Sequence, residues 1–194
     1  MEINPAKEEN LNELITNRRS MRAISEEKIA ESKLETLIKA AHLAPSCFNN
    51  QPWRFVVVNK IEKLEKIKDA MPGGNYWAKD APAIIAVTSR RRLDCDLSHD
   101  RIYYKFDCGL AVENLLLQAT EFGLISHPVA GFDPVITREV LEIPDEFELI
   151  TLIIIGKPGN PDKLSEKHRK VETGERKRKP IEKVVSKNKF EFRD

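Results

Sequence analysis

APSCFNNQPW, residues 44–53, carries more information than any other stretch of this chain. A segment with helical periodicity ends before Pro45, and the apolar residues 54–58 that follow it read as a strand. The stretch is therefore a loop that places hydroxyl, thiol, amide and backbone groups close together. Such a loop can line a flat ligand with polar edges, but a polar loop is also an ordinary connection between a helix and a strand. A ligand-binding role for this loop is supported only if other segments of the chain also carry residues suited to the same ligand.

The composition sets the limits of that search. A chain of 194 residues fits one domain, and 41% hydrophobic residues are enough for a core. A net charge of +1, with 32% charged residues, argues against a general binder of polyanions. We therefore expect a globular protein that is not a general nucleic-acid binder, although this balance says nothing against a local basic patch.

The N-terminal residues do not predict a signal peptide, and the apolar tracts do not predict a membrane span. The N-terminal residues have no basic and apolar pattern typical of a signal peptide. Polar residues interrupt the longest apolar tract, residues 110–119, which is also far shorter than the ~20 residues that span a bilayer. The three cysteines, Cys47, Cys95 and Cys108, lack the spacing of a metal site. We expect a cytoplasmic protein with reduced thiols, no membrane contact and no metal.

Hydrophobic periodicity predicts more helices than strands. One helix has a capping box formed by Ser32 and Glu35 and ends near Pro45. The absence of a regular alternation of strand, helix and strand favours the α+β class. The predicted helices cover residues 11–15, 32–44, 61–71, 101–122 and 134–141, and the extended segments cover residues 54–58, 83–88, 128–132 and 149–155.

The composition changes after Gly156, so we divide the chain into a core, residues 1–156, and a basic C-terminal arm, residues 157–194. The arm has too few apolar residues to form a core alone. It therefore needs a surface, and the simplest one is a second subunit in a homodimer. A largely disordered tail is the other interpretation. The apolar residues that could anchor the arm are Ile181, Val184, Val185, Phe190 and Phe192.

Four segments besides the loop carry residues suited to a ligand. Residues 18–22, RRSMR, suit a phosphate because each guanidinium can pair two phosphate oxygens. Asn75 can both donate to and accept from a ring edge, and residues 128–132, PVAGF, contain a glycine that permits close approach. The basic residues 176–180 could reach the same phosphate. They could also be a solvated charge run or a nucleic-acid contact, although no aromatic residues are interleaved with them.

Together, from about Leu14 to Pro180, these segments resemble the FMN-dependent nitroreductase family. The resemblance implies an α+β, nitroreductase-like fold with a central mixed β-sheet flanked by helices, in an intertwined homodimer. FMN would lie at the subunit interface, with NAD(P)H as co-substrate. No side chain would be catalytic, since the flavin carries the chemistry.

The resemblance also assigns roles to residues. Arg22 would approach the N1–O2 side of the flavin, Asn75 would read its pyrimidine edge, and the backbone of Ala130 and Gly131 would lie near N5. Ala130 and Cys47 stand where several members carry Glu and Ser, and Asp107 stands where some carry Gln, so substrate contacts are expected to differ. The remaining cofactor-binding residues would be Arg18, Arg19 and Ser20 at the phosphate and ribityl groups, Pro45, Ser46, Cys47 and Asn49 from the other subunit, Pro128 beside N5, and Arg176 and Arg178 at the phosphate.

The implied activity is transfer of hydride from NAD(P)H, through flavin N5, to nitroaromatic, quinone or similar acceptors by a ping-pong mechanism. One alternative is a specialised member of the family: an enone reductase, a dehalogenase or a flavin-consuming enzyme. Others are a non-catalytic flavin-binding protein and a nucleic-acid binder. His127, beside Pro128, could be structural or could border the substrate slot.

Overall fold

The computed structural model describes residues 11–192, in which helices cover both faces of one β-sheet. The strands are β1 (Ile24–Ser25), β2 (Arg54–Val58), β3 (Ala83–Ser89), β4 (Ile125–Val129) and β5 (Glu148–Pro158). The helices are α1 (Glu13–Asn17), α2 (Glu31–His42), α3 (Ile61–Asp69), α4 (Tyr104–Glu121), α5 (Pro134–Leu141) and α6 (Glu166–Thr173). The α+β class predicted from the sequence is confirmed.

The sheet is centred on its two most apolar strands, β3 and β5. The strand order is β2-β3-β5, and both β1 and β4 also pair with β5. Each pair formed by residues 11–192 is antiparallel, for example Ile85 opposite Ile153. The family resemblance implied a mixed sheet, whereas the sheet formed by residues 11–192 is antiparallel throughout.

Side chains that alternate along β3 and β5 enter two separate cores. Ile85 and Ile153 pack on one face beneath α2 and α4, which contribute Leu37 and Leu115. On the other face lies a second cluster, which α3 and the 3₁₀ segment Gly73–Asp80 cover. Residues 83–87 of β3 and residues 152–155 of β5 are buried on both faces, which explains why their sequences are continuously apolar rather than alternating. The second cluster includes Leu64, Ile67, Trp77, Ile84, Ala86, Leu152 and Ile154.

Several element boundaries differ from the sequence prediction. The capping box was wrong: α2 begins at Glu31 with Ala30 as its N-cap, so Ser32 lies inside the helix. The helix predicted from Arg101 begins at Tyr104, because the Asp94 carboxylate accepts the N–H of Tyr103 at 2.9 Å. That bond gives the Tyr103 N–H an acceptor outside the helix and so favours an extended backbone in the residues before α4.

The first part of the C-terminal segment packs against the rest of its own chain. β5 continues through Pro158, and the following α6 packs against the residues after α1. Ile181, Val184, Val185 and Phe190 are exposed in the single chain. A boundary after residue 156, and packing of this arm on a partner, remain predictions.

Within residues 11–192, no helix has the length and apolar character needed to cross a membrane. The same residues hold no group of three or more His, Cys, Asp or Glu side chains arranged for a metal ion.

Candidate functional site

Two distant parts of the chain form one positively charged cavity, here called the basic cavity. The N-terminal motif forms one wall, and α6 with the residues after it forms the other. The cavity has a volume of about 610 Å³. Its lining residues are Arg18, Arg19, Ser20, Lys170, Val171, Gly174, Glu175, Arg176, Lys177 and Arg178.

Two arginines hold these walls together through backbone carbonyls. The Arg19 guanidinium donates to the carbonyls of Val171 and Gly174 at 3.1 and 2.9 Å. In the opposite direction, Arg176 donates to the carbonyls of Arg18 and Ile15. These bonds keep both guanidinium charges at the cavity without neutralising them, since their acceptors are neutral.

A buried carboxylate fixes the last part of the N-terminal motif. Glu172, only 3% exposed, accepts the N–H groups of Arg22 and Ala23 at 2.8–3.0 Å. Hydrogen bonds to a charged acceptor are stronger than neutral ones. Glu172 therefore sets the backbone from which the Arg22 side chain projects. Within residues 11–192, the Arg22 guanidinium itself has no hydrogen-bond acceptor.

The electrostatics of the basic cavity favour an anion. Burial lowers the pKa of Arg176, and the neighbouring charges of Arg178, Arg18 and Arg19 lower it further. Like charges held this close repel one another, so an anion that enters the cavity relieves the repulsion. Arg18 has partial compensation, since its Nε lies 3.6 Å from the Glu113 carboxylate.

Asn75 and Gly131 meet directly. The Asn75 amide donates to the Gly131 carbonyl at 2.6 Å. A Cβ added to Gly131 would lie 3.1 Å from Asn75 Nδ2, so a larger residue there would require the Asn75 side chain to shift slightly. In the described part of the chain, the Gly131 N–H has no hydrogen-bond acceptor, and Gly131 is exposed.

A row of rings connects this pair to the N-terminal motif. His127 Nδ1 lies 3.0 Å from the Met21 carbonyl, and its ring packs 4.7 Å from that of Trp77. Burial lowers the pKa of His127, so the neutral imidazole donates this bond. On the other side, Tyr76 stacks on His168 of α6, with ring centroids 5.5 Å apart. The buried, hydrogen-bonded position of His127 favours its structural interpretation.

Residues 45–47 of the loop line a different cavity, of about 470 Å³, together with residues 97–103 and the start of α4. The Cys47 N–H donates to the Asp107 carboxylate at 3.1 Å. Burial raises the pKa of Asp107, and the bond from Cys47 acts in the opposite direction. Phe48 beside it is 81% exposed and has a positive φ of 50°.

The expectation of three reduced thiols was wrong for two of them, since Cys47 and Cys95 form a disulfide. Their Cα atoms lie 5.9 Å apart across a separation of 48 residues. The count and spacing of cysteines in the sequence contain no information about this distance. Cys108 remains a free and buried thiol, and burial raises its pKa to about 12.

Comparison with known proteins agrees with this architecture. The Nitroreductase family model matches residues 15–75 and 68–157. The chain belongs to the nitroreductase family.

Two similar curated proteins of this family come from archaea. A putative NADH dehydrogenase/NAD(P)H nitroreductase of Archaeoglobus fulgidus is 33% identical over 149 residues, 75% of this chain and 83% of that protein. A protein of the same description from Methanothermobacter thermautotrophicus is 32% identical over 161 residues, 77% and 78% of the two chains.

Solved structures agree with the family assignment. A crystal structure of an oxidoreductase containing FMN superposes with a TM-score of 0.85 at 31% identity and covers 96% of each chain. A nitroreductase family protein from Clostridium difficile superposes with a TM-score of 0.77 at 30% identity and covers 93% of this chain and 99% of its own.

The structure of this nitroreductase-family chain sorts the residues singled out in the sequence into three groups. Arg18, Arg19, Ser20, Arg176 and Arg178 line the basic cavity. Asn75 bonds to Gly131, which follows Pro128 and Ala130 at the end of β4. Pro45, Ser46 and Cys47 line the second cavity, with Asn49 exposed beside it.

Sequence reasoning missed Glu172 and Lys170, and it named Lys177 only as part of the basic run 176–180. Glu172 lies in a segment of alternating charges, where a buried carboxylate looks like any solvated one. Only the contact with Arg22 reveals it, and no local pattern encodes a contact between residues 150 positions apart.

Proposed function

We propose that this chain binds FMN and passes hydride from NAD(P)H to small-molecule acceptors. The basic cavity is the observation that carries the proposal, because two distant basic segments converge there. A phosphate monoester carries a charge of about −1.5 to −2 and three acceptor oxygens. Guanidinium groups match those oxygens in geometry and charge, so the residues present fit the phosphate end of FMN.

The remaining groups suit the rest of the cofactor. Arg18, Ser20 and Arg178 would hold the phosphate, while Arg19 and Arg176 keep the two walls of the cavity together. The Asn75 amide and the Gly131 N–H would face the polar edge of the ring system. When bound, FMN supplies acceptance and donation of hydride. The uncompensated guanidinium of Arg22 would stabilise negative charge at the ring, in surroundings that Glu172 keeps fixed.

A homodimer would complete the site. Residues 45–47 line a cavity separate from the basic one, so a second subunit would bring Pro45, Ser46, Cys47 and Asn49 to the cofactor. Phe48, Ile102 and Phe106 are exposed beside that loop, in a region suited to an interface. Sedimentation equilibrium tests this, and a monomer at micromolar concentration would contradict it. A cytoplasmic location, where NAD(P)H is supplied, is part of the same proposal.

The acceptors would be nitroaromatics, quinones and similar flat molecules. Since the flavin would carry the chemistry, the residues of the basic cavity would bind and orient both substrates without reacting with them. The nicotinamide and the acceptor would use one slot in turn, which predicts parallel lines in double-reciprocal plots. Assays with nitrofurazone, a benzoquinone and a halogenated phenol separate a general reductase from a specialised one.

The direct test is the visible absorbance of the purified protein. We expect the spectrum of an oxidised flavin that bleaches on anaerobic addition of NADH or NADPH. A double change, Arg18→Ala with Arg178→Ala, should weaken FMN retention about a hundredfold or more, since each of the two charge-assisted bonds contributes about 1.5–3 kcal/mol. Lys66→Ala on α3, outside the basic cavity, is the matched control. A double variant that retains FMN as well as the unchanged protein would refute the phosphate assignment.

A further inference from the structure

The disulfide joins two separate segments that line the second cavity. Residues 94–103, here called the strap, lie between β3 and α4, and the loop of residues 45–51 lies between α2 and β2. Cys95 of the strap is bonded to Cys47 of the loop. Within residues 11–192, no hydrogen bond or ion pair joins the strap to this loop. The position of one segment relative to the other therefore depends on the disulfide.

The strap is closed at its base and lightly held elsewhere. The Asp94 carboxylate accepts the N–H of Tyr103 at 2.9 Å, so the two ends of the strap are joined to each other. Arg91 donates to the Arg101 carbonyl at 2.9 Å, which adds a second bond near the same end. Residues 98–102 are exposed. A compact loop with joined ends and few buried contacts can open while the rest of the fold stays intact.

Unusual backbone conformations are concentrated in the same two segments. Seven non-glycine residues among residues 11–192 have a positive φ, and five of them lie in the loop or the strap. Phe48, with a φ of 50°, is a bulky residue in a region that such residues rarely occupy. Strain of this kind persists only where the surroundings hold it, and it is typical of clamps and switch segments. The five residues are Phe48, Asn49, Gln51, His99 and Asp100.

The second cavity gives a reductant a route to the disulfide. Cys47 lines this cavity of about 470 Å³ and is half-buried, whereas Cys95 is only 4% exposed. The accessible end of the disulfide is therefore Cys47. Leu97, Arg101 and Tyr103 of the strap form another part of the cavity wall, so a displacement of the strap changes the width of the cavity.

We propose that the Cys47–Cys95 disulfide is a redox-controlled latch on the second cavity. In the oxidised protein it fixes the strap against the loop, and after reduction by a dithiol the strap moves away and the cavity widens. A thiolate of the dithiol attacks Cys47 Sγ, the S–S bond breaks, and Cys95 leaves with the electron pair and takes up a proton. The second thiol of the reductant then displaces Cys47, so the reductant becomes a disulfide and the protein gains two electrons and two protons.

The inference rests on the proposed function in one respect, the cytoplasmic location. The cytoplasm keeps thiols reduced, and the disulfides that form there are usually transient and act in catalysis or redox sensing. The position of this disulfide agrees with such a role, because it joins two surface segments at a cavity and belongs to neither of the two hydrophobic clusters.

Hydrogen exchange followed by mass spectrometry tests the latch on the FMN-loaded protein. The protein is first oxidised with glutathione disulfide and then compared before and after treatment with dithiothreitol in native buffer. Exchange in residues 95–102 should accelerate about tenfold or more on reduction, while β3 and β5 change less than about twofold. Cys95→Ser should show the fast exchange without reductant. Cys108→Ser should respond as the unchanged protein does, since Cys108 takes no part in the disulfide.

The rate of reduction separates a latch from a structural crosslink. The native disulfide should react with dithiothreitol at least about tenfold faster than the protein unfolds in the same buffer, a rate that urea unfolding kinetics provide. Reduction that waits for global unfolding would overturn the inference. So would unchanged exchange in residues 95–102 after reduction, faster exchange across the whole sheet, or failure of the disulfide to form under oxidation. These comparisons need no substitution, so they decide the question even if Cys95→Ser does not fold.

The same exchange measurements on protein without FMN keep this inference distinct from the proposed function. A protein that takes up no FMN but shows redox-dependent exchange confined to the strap and the loop would refute the proposed function and support the latch. A protein that binds FMN and shows no redox-dependent exchange would do the reverse.

Discussion

Replacement of Glu172 by alanine tests how the C-terminal segment supports the site. The carboxylate is buried and accepts two backbone N–H groups, those of Arg22 and Ala23, through bonds of 2.8–3.0 Å. The change removes the acceptor and leaves both donors without a partner. An unsatisfied buried donor costs about 1–3 kcal/mol. Since water can enter the space left by the side chain, we expect a total loss of about 2–4 kcal/mol in the free energy of unfolding.

A second variant separates charge from hydrogen bonding. In Glu172→Gln the amide oxygen can replace Oε1, which accepts from Arg22 and Ala23 at 2.9 and 2.8 Å. The amide nitrogen then replaces Oε2 and faces the Arg22 N–H. We expect this variant to lose about 1–2 kcal/mol, less than the alanine variant, because one acceptor remains.

Urea denaturation at fixed protein concentration measures both losses, and a thermal scan should show the alanine variant melting roughly 4–16 °C lower. The control is Glu166→Ala on the same helix, whose exposed pair with Lys170 should contribute no more than about 0.5 kcal/mol. If Glu172→Ala unfolds within about 0.5 kcal/mol of the unchanged protein, the carboxylate does not hold the two segments together and the reasoning fails.

Two further predictions concern a histidine and the disulfide. Because burial lowers the pKa of His127, its contribution to stability is complete above pH ~6.5 and declines as the pH falls towards the folded pKa. His127→Asn keeps a donor for the Met21 carbonyl but cannot titrate, so its stability deficit should shrink between pH 7.5 and about 5; a constant deficit would contradict the assignment. Thiol titration of the oxidised protein in denaturant should find only Cys108, and three thiols after reduction; three before reduction would refute the disulfide. Cys95→Ser should cost up to about 4 kcal/mol, the chain-entropy value for closing a loop of 48 residues, measured by urea denaturation against Cys108→Ser.

The sequence predicted the main elements of the fold because apolar runs report burial directly. The central parts of β3 (residues 83–87) and β5 (residues 152–155) are continuously apolar and lie at the centre of the sheet. Boundaries were less predictable, since they depend on which distant group satisfies the first free N–H of a helix. Asp94 does this for Tyr103, and nothing in the local sequence distinguishes Asp94 from the solvated acids beside it.

For the candidate site, the sequence indicated which residues carry suitable chemistry but not how each of them is used. Arg18 and Arg19 are identical neighbours, yet Arg18 lines the cavity near Glu113 while Arg19 bonds to two carbonyls of the C-terminal segment. The difference arises from the direction in which each side chain leaves an extended backbone. Residue type fixes the charge of the site, and tertiary contacts fix which charges remain available.

The part of the chain that matches the family model and the part that lines the basic cavity are largely different. The Nitroreductase family model ends at residue 157, but seven of the ten residues that line the basic cavity lie within residues 170–178. Arg19 and Glu172 join the two parts through hydrogen bonds that require only a carbonyl or an N–H on the other side. Main-chain groups are present whatever the sequence, so the cavity side chains of the tail other than Arg176, which itself donates to the carbonyls of Ile15 and Arg18, can change without loss of these attachments. A chain built in this way can alter the charge of the basic cavity while the matched core stays unchanged.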